Sequence, residues 1–546
     1  MKKFLLIVSI LLLANPLYAQ SQDAFAEDKA LVKIRIDRFD GGQNSADLDT
    51  TIEASQSKIL KNIIITSQGR AITRKGQALF STDESNTAFT GLGRFTPSAT
   101  VDNIVIASDT SIAVSDSDGT AWATINDGEP LTTGKDTEFI QANNLLFALN
   151  GTDPTPFYDG TFWDKGAASD TSVVNASPPT ATTGAWQLNY LFLAGNPSFP
   201  DFVFVSNNLN PAVFTAGDVL FINTGDGQKV IHLESFRVNE LIIYKERSIF
   251  VLDLTGEEPI IDWTVQPLSK TIGCIASRSV VNTGNDHWFL SSNPIAVRSL
   301  VRTQFDKILL NKLSIPIQDI FDGTGNRVIN ESVISKATAI LFDDKYFLAI
   351  PTGNSTVNDF VVYYDFTTQS WGTIDGWFPA DWLEFDEELF YIDALDGRVI
   401  KCFTGTQGDM ASGPTVTTSS EPSIPIRFEI VSKDFVFDNA ENFKMPDALE
   451  VEFGTTGSFT ATVSVELDDG GFQDIGTINL AGDSPTLPVT LPFTLATDGV
   501  ARKIFQTQSL GEFRKIAVKI SQETLDQFAD LHSYTNFSKL KRWRRE

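Results

Sequence analysis

The sequence predicts an all-β chain in two parts, and three observations carry that reading. Phenylalanine is heavily used, with 41 Phe beside 9 Tyr and 9 Trp, and aromatic side chains suit half-buried pleated surfaces. Short apolar runs broken by Gly, Asn and Asp turns recur in units of about 40 residues. Late in the chain the pattern changes to strict alternation of apolar and polar residues. Antiparallel repeats of that length indicate a β-propeller, here of about six to eight blades. Strict alternation indicates an antiparallel sheet with one buried face, expected as a C-terminal β-sandwich. The expected order is a signal-peptide-like segment over residues 1–19 and a propeller with its closing strands over 20–404. A linker over 405–425, a β-sandwich over 426–531 and a basic tail over 532–546 follow.

The first segment opens with Lys2 and Lys3, continues through the apolar run FLLIVSILLL and ends near Ala19. That is the layout of a secretory signal, and the run is short for a membrane span. The next stretch, FDGGQNSADLDTTIEASQSKILKNIIITSQGRAITRKGQALF, reads as strands and turns. Gly41, Gly42, Asn44, Gly69 and Gly76 are expected at turns, where Gly and Asn tolerate positive φ. Its segments are expected to add strands to the propeller and close the ring, which would leave no open edge.

The repeats follow. Each reads as a strand, a polar turn and a second strand, as in NIVIASDTSIAVSDSDGTAWATI and EFIQANNLLFALNGTDPTPFYDGTFWDKG. Asp118-Gly119, Asp159-Gly160 and Asp396-Gly397 suit hairpin turns. Helical spacing is confined to residues 311–322 and 521–532. Residues 405–425 are rich in Gly, Ser, Thr and Pro and read as a linker. Beyond it Phe459, Ala461, Val463, Val465 and Leu467 alternate with polar residues, as do Ile516, Val518 and Ile520. At the end Lys539, Lys541, Arg542, Arg544 and Arg545 surround Trp543. Arg and Trp are enriched at interface hot spots, so these six residues are the expected partner contact.

The net charge is −27, which excludes a broad nucleic-acid-binding surface because phosphate contacts need clustered Lys and Arg. Cys274 and Cys402 form no CxxC, and His232, His287 and His532 form no pair at ligand spacing, so neither a zinc site nor a disulfide framework is predicted. The SDSDGTAW turn at 115–122 lacks the closing Glu of a calcium loop. GTGN at 323–326 and NTGDGQ at 223–228 lack the Lys-Ser/Thr of a phosphate loop. Asp343-Asp344, Glu387-Glu388 and Asp468-Asp469 are paired acids expected in a chain with 69 of them. There is no G-x-S-x-G elbow. No catalytic, metal-binding or cofactor-binding residue is predicted, and no cofactor.

The opening stretch resembles the start of the β-propeller tail proteins of short-tailed bacteriophages, the head-to-tail stabilisation and tail nozzle proteins. Gly41, Gly42, Asn44, Gln56, Asn62, Gly69, Arg74 and Gly76 carry that likeness. Asn150, Gly151, Tyr158, Asp159 and Gly160 resemble the family's NG…YDG unit, and Lys245 and Phe250 a later strand. Gly273, Cys274, Ser279, Gly284, Asp286, Phe289 and Leu290 form its most specific piece. The resemblance runs from about Ile36 to the C-terminus and rests on the order of these motifs.

It implies a non-enzymatic virion protein that forms a ring of identical subunits, expected as a hexamer. Such a ring adjoins portal, adaptor or other tail proteins, and DNA passes through its lumen only in transit. It would seal the portal–tail channel and provide the exit path for the genome. An acidic lumen repels DNA and lets it slide. The signal-like start favours a different expectation, an exported bacterial propeller that binds a glycan or protein at the cell surface. A third, a secreted propeller hydrolase, requires acids that converge at the propeller mouth.

Overall fold

The computed structural model describes residues 31–80, 89–115, 122–126, 128–165, 177–256, 260–302, 308–325, 327–404, 408–411, 423–437, 441–457, 459–481 and 499–540. The signal-like segment, most of the 115–122 turn and most of the 405–425 linker lie outside them. No helix among the described residues is long and apolar enough to cross a membrane.

Most of the chain folds as a β-propeller. Among the described residues, six separate four-stranded sheets and the first four strands of a ten-stranded sheet make seven blades. Blade 1 is Phe89–Ser98, Val101–Ser108, Ser111–Ser115 and Trp122–Thr124. Blades 2 to 5 begin at Glu138–Ala142, Thr183–Gln187, Val230–Arg237 and Val281–Asn282. Blade 6 is Thr338–Phe342, Lys345–Ile350, Phe360–Asp365 and Ser370–Asp375. Blade 7 begins at Pro379–Phe385, which lies against the first strand of blade 1 and completes the circle. The second strands have apolar centres, such as Leu191, Phe192, Leu193 and Ala194 in blade 3. Each is buried on both faces because neighbouring blades cover them, which is why these runs lack alternation.

The ring is latched by the N-terminal part of the chain. Gly76–Leu79 pairs antiparallel with Val399–Thr404 as the outermost strand of blade 7. Both ends of the circle therefore share one sheet, and opening the ring means breaking that ladder.

The expectation that residues 31–75 also enter the propeller is corrected. They build a second, two-sheet unit together with the C-terminal part of the chain. One sheet orders Ile63–Ile65, Ala71–Thr73, Asp530–Leu540, Lys444–Gly454 and Val500–Gln506, with Leu31–Ile36 also on Asp530–Leu540. The other orders Gln56–Lys61, Phe428–Ser432, Ile516–Gln522, Thr460–Leu467 and Gln473–Asn479. Phe39, Leu60, Ile63 and Ile65 from the opening share one core with Val451, Phe453, Val463, Val465 and Ile520. These early residues are therefore buried against the late strands. Gln56–Lys61 also bridges Ser370–Asp375, so this second sheet continues into blade 6.

Three further expectations change. The tail does not begin at 532, because Asp530–Leu540 is an internal strand with neighbours on both sides. Its Ser533, Thr535, Asn536 and Ser538 are buried although polar. Ladders on both edges satisfy the backbone, and Ser533 Oγ donates to Glu452 at 2.6 Å. The helical spacing at 521–532 is overruled for the same reason: Gln522 ends one strand and Asp530 starts the next. At 311–322 a short helix does form, over Gln318–Asp322. Within the 405–425 stretch, Gly408–Asp409 pairs with Ile424–Pro425, and Asp409 and Met410 are buried. Composition alone did not reveal that anchor.

Candidate functional site

The residues of the opening motif meet at the seam between latch, blade 6 and two-sheet unit. Arg74 is fully buried at its centre. Its Nε donates to Asn62 Oδ1 at 3.0 Å. Nη1 donates to Asp409 Oδ1 at 2.8 Å and to the Lys75 carbonyl at 3.1 Å. Nη2 donates to the Asp375 carbonyl at 3.2 Å and to Asp409 Oδ2. The guanidinium lies 4.7 Å from the centre of the Trp377 ring. Asn62 (φ 55°) accepts from Asp375 N and donates to the Arg427 carbonyl, both at 3.0 Å. Such planar, bidentate recognition in a dry site is the chemistry of structure, and the cluster holds four segments together.

The predicted turn residues sit around this seam in different ways. Gly42 has φ 68°, and a Cβ there would lie 2.5 Å from Ser370 Cβ and 2.7 Å from the Trp371 carbonyl oxygen. At Gly41 a Cβ would lie 2.6 Å from Ser55 Oγ. Both glycines permit close approach of the chain to its neighbours. Asn44 donates to Asp47 and Gln56 and accepts from Asp47 N, which closes its turn. Gly69 has φ 82° and its carbonyl accepts from Phe39 N at 2.8 Å. Gly76 is corrected: it begins the latch strand and is not a turn residue. In blade 2, Asp159 Oδ1 accepts from Thr161 N and Phe162 N at 2.7 Å each, beside Gly160 at φ 96°. Lys539 lies in the last strand and pairs with Asp447 at 2.6 Å, which holds the Asp447 carboxyl below its ordinary range. Lys541, Arg542, Trp543, Arg544 and Arg545 lie outside the described residues.

The group most suited to ligand chemistry lies elsewhere, on the propeller axis, and no sequence motif marks it. The segments that lead into the innermost strands, with loops between second and third strands, surround a recess of about 420 Å³. Arg278 enters from the single 3₁₀ turn of Ser277–Ser279 before blade 5. It donates to the Thr137 carbonyl at 2.8 Å and the Thr90 carbonyl at 3.1 Å, and lies 3.6 Å from Asp381. Those partners belong to blades 2, 1 and 7, so the side chain spans the axis. Glu138 accepts from Thr183 Oγ1 at 3.3 Å and Ser277 Oγ at 3.5 Å. His232 Nδ1 lies 3.0 Å from Ser277 Oγ, and Nε2 lies 3.3 Å from Glu234.

Burial pushes the Glu138 carboxyl up, against the pull of His232 and Arg278. Asp381 is also pushed up by burial, with Arg278 opposing. Burial alone would lower His232, but Glu234 and Glu138 outweigh it and its pKa is raised. His287 behaves oppositely: burial lowers it to about 4. Its Nε2 faces the Ser235 carbonyl at 2.9 Å and Nδ1 faces Tyr244 Oη at 3.0 Å, so the neutral ring donates through Nε2. Cys274 and Cys402 are buried free thiols, and burial pushes Cys274 up to about 12. Neither is a nucleophile at neutral pH. Among the described residues no cluster of three His, Cys, Asp or Glu has metal-binding geometry.

No protein-family model matches the chain, and no curated protein matches it by sequence. Several solved structures are partly similar to it. The Neurospora crassa Pan2 WD40 domain has a TM-score of 0.35 at 8% identity, over 62% of this chain and 99% of that one. The N-terminal part of BBS1, in complex with ARL6, has a TM-score of 0.37 at 11% identity, over 61% and 99%. An exo-β-1,3-galactanase from Phanerochaete chrysosporium, with galactose, has a TM-score of 0.23 at 10% identity, over 85% and 100%. At these TM-scores the likeness carries no argument about this chain.

Proposed function

We propose that this chain is a structural component of a bacteriophage tail, a head-to-tail stabilisation or nozzle ring. The observation that carries the reading is the role of the opening motif. Gly42, Asn62 and Arg74, which carry the likeness to that family, all serve a joint that fixes the propeller to the two-sheet unit. A stiff joint suits a protein whose task is mechanical. Arg278 lies across the propeller axis, so the path for DNA is the centre of a ring of copies. With −27 per chain, an acidic lumen would let DNA slide without adhering. The expected ring is a hexamer seated against portal, adaptor or tail neighbours. The basic end from Lys541 to Arg545 is its proposed partner contact.

Native mass spectrometry of the full chain, together with proteomics of purified particles, tests this. Rings of six and a fixed copy number per particle are expected. A chain that stays monomeric and is missing from particles overturns the reading. The exported, surface-binding alternative draws on the signal-like start and on the axial recess. It predicts recovery in the periplasm or medium of a culture that produces no virus.

A further inference from the structure

The turns at the end of the propeller opposite the axial recess are of two kinds. Strands in each blade alternate in direction, so the first-to-second and third-to-fourth turns all lie at that end. In blades 2 to 4 these turns expose large apolar side chains, Phe162, Leu188, Leu209, Val238 and Ile261. Leu188 is 37% exposed and the other four between 62% and 77%. Turn chemistry does not call for them: Leu188 (φ 48°) and Leu209 (φ 58°) hold left-handed positions that suit Gly, Asn and Asp. Hydrogen bonds tie these turns together. Gln187 Nε2 donates to the Val238 carbonyl at 2.6 Å, and Leu209 N to the Asn189 carbonyl at 2.9 Å. Leu254 N donates to the Asn239 carbonyl at 2.8 Å, which joins the connection carrying Ile261 to the Val238 turn. Leu188, Leu209, Val238 and Ile261 therefore form one apolar arc over blades 3 and 4, and an exposed apolar surface of this kind marks an interaction site.

Charge identifies what covers it. Across the axis, the first turns of blades 6 and 7 are the exposed pairs Asp343-Asp344 and Asp386-Glu387. Exposed Asp159 and Asp262 lie beside Phe162 and Ile261. Among the described residues, the turns at this end hold these six acids and neither Lys nor Arg. Asp343 meets Lys345 from the adjoining strand at 3.2 Å and still keeps 78% of its side-chain surface. The complementary occupant is cationic and carries an apolar anchor. Two such faces laid on each other would set acids against acids, and an anionic bilayer would be repelled. The chain itself supplies a segment of the required chemistry, with Lys541, Arg542, Arg544 and Arg545 around Trp543.

We propose that this end of the propeller binds the C-terminal segment of a second copy, with Trp543 on the arc of Leu188, Leu209 and Val238 and the cations facing the acidic turns. The proposal rests on the reading that copies assemble, and it names the surface that their basic ends meet.

A fluorescently labelled peptide of residues 538–546, titrated with the full chain and read by anisotropy, tests it. Saturable binding with a Kd of about 10–100 μM is expected. Trp543→Ala in the peptide should weaken it about tenfold or more. Leu209→Ser combined with Val238→Ser in the chain should do the same. Asp343→Asn combined with Asp344→Asn should weaken it about threefold at low salt and hardly at all at high salt, where the charges are screened. Ile504→Ser, on the two-sheet unit, should bind as the parent does. Thermal melts establish that each chain variant is folded, and the peptide variant tests the anchor without altering the chain. No binding at about 1 mM overturns the proposal. So does binding that survives loss of Trp543 or of the two apolar turn residues. Sedimentation with neutral phosphatidylcholine vesicles that Leu209→Ser and Val238→Ser abolish also overturns it, because a bilayer then covers the arc. Native mass spectrometry separates this from the ring reading. Rings unaffected by excess peptide and by the apolar variant overturn the docking and leave the ring. Peptide bound through these turns by a chain that stays monomeric supports the docking surface and removes the ring.

Discussion

Arg74 at the seam and Arg278 on the axis each meet an aspartate, yet their surroundings leave very different things unsatisfied. The Arg74 side chain is fully buried and Asp409 is 4% exposed. The guanidinium fork faces partners on Asn62, Lys75, Asp375 and Asp409. Nothing at that seam is available to a ligand. Arg278 and Asp381 keep 20% and 15% of their side-chain surface, and Arg278 borders the axial recess. The same pair of residue types is a fastener where water is excluded and part of a site where a cavity adjoins it. Burial and the count of open partners distinguish the two, and residue identity does not.

The strongest way to break this contrast is to remove each arginine in turn. Arg74→Gln should destabilise the chain by about 3–5 kcal/mol, since it leaves Asp409 buried without its counter-ion. Arg278→Gln should cost about 1–2 kcal/mol, because water in the recess can replace part of what is lost. Urea midpoints with unchanged slopes would measure both. Equal losses would mean that the recess is as dry as the seam.

Next in size is a pH effect that depends on a third kind of burial. His287 has a folded pKa of about 4 against an ordinary 6.5. Between those values the unfolded chain binds a proton that the native chain does not, so stability falls as pH falls through that window. The shift corresponds to about 3 kcal/mol by pH 4, with nothing lost above pH 6.5. His232, whose pKa is raised, has the opposite sign: its contribution is present at low pH and fades as pH rises through its folded value. His287→Gln should therefore flatten the acid limb of a stability-versus-pH curve below pH 6.5, whereas His232→Gln should leave that limb unchanged and instead remove a loss of stability that sets in above pH 6.5. If both variants change the limb in the same direction, the two environments are not distinct.

Part of this was legible in the sequence. The alternation of Ala461, Val463, Val465, Ile516, Val518 and Ile520 is the buried face of a sheet, and all six are within 2% of full burial. The turn at Asp159-Gly160 was readable because its chemistry is local. Arg74 was visible as a motif residue, but its partner Asp409 lies 335 positions away, in a stretch whose composition reads as linker. The strand Asp530–Leu540 was hidden because a strand with two neighbours can bury polar residues. The axial group was invisible for a topological reason: each blade contributes one or two residues, so Glu138, His232, Arg278 and Asp381 have no shared spacing.

The opening glycines sharpen the seam side of the comparison through a matched pair. Gly42 and Gly134 both have φ 68°, but a Cβ at Gly134 would meet nothing within 4 Å. Alanine at Gly134 should cost only the backbone term, about 1 kcal/mol. At Gly42 the same term adds to overpacking against Ser370 and Trp371, for a total of about 2–3 kcal/mol. Thermal or urea unfolding of the two variants gives the difference directly. A larger loss at Gly134 would remove close approach as the reason for the glycine at 42.

The smallest effect belongs to the last strand. Lys539 and Asp447 lie 2.6 Å apart with side chains 37% and 21% exposed. Solvent screens such a pair, and its coupling should be about 0.5 kcal/mol. A double-mutant cycle of Lys539→Met and Asp447→Asn reads that coupling free of each residue's other contacts. Salt should reduce it further, because the Debye length at 1 M is about 3 Å. A coupling several times larger that persists in salt would place Lys539 with the dry seam. It would also mean that the strand is pinned at its end by charge, whereas the ladders to Leu31–Ile36 and Lys444–Gly454 already hold it. With a small coupling, the backbone pairing of the strand carries its stability.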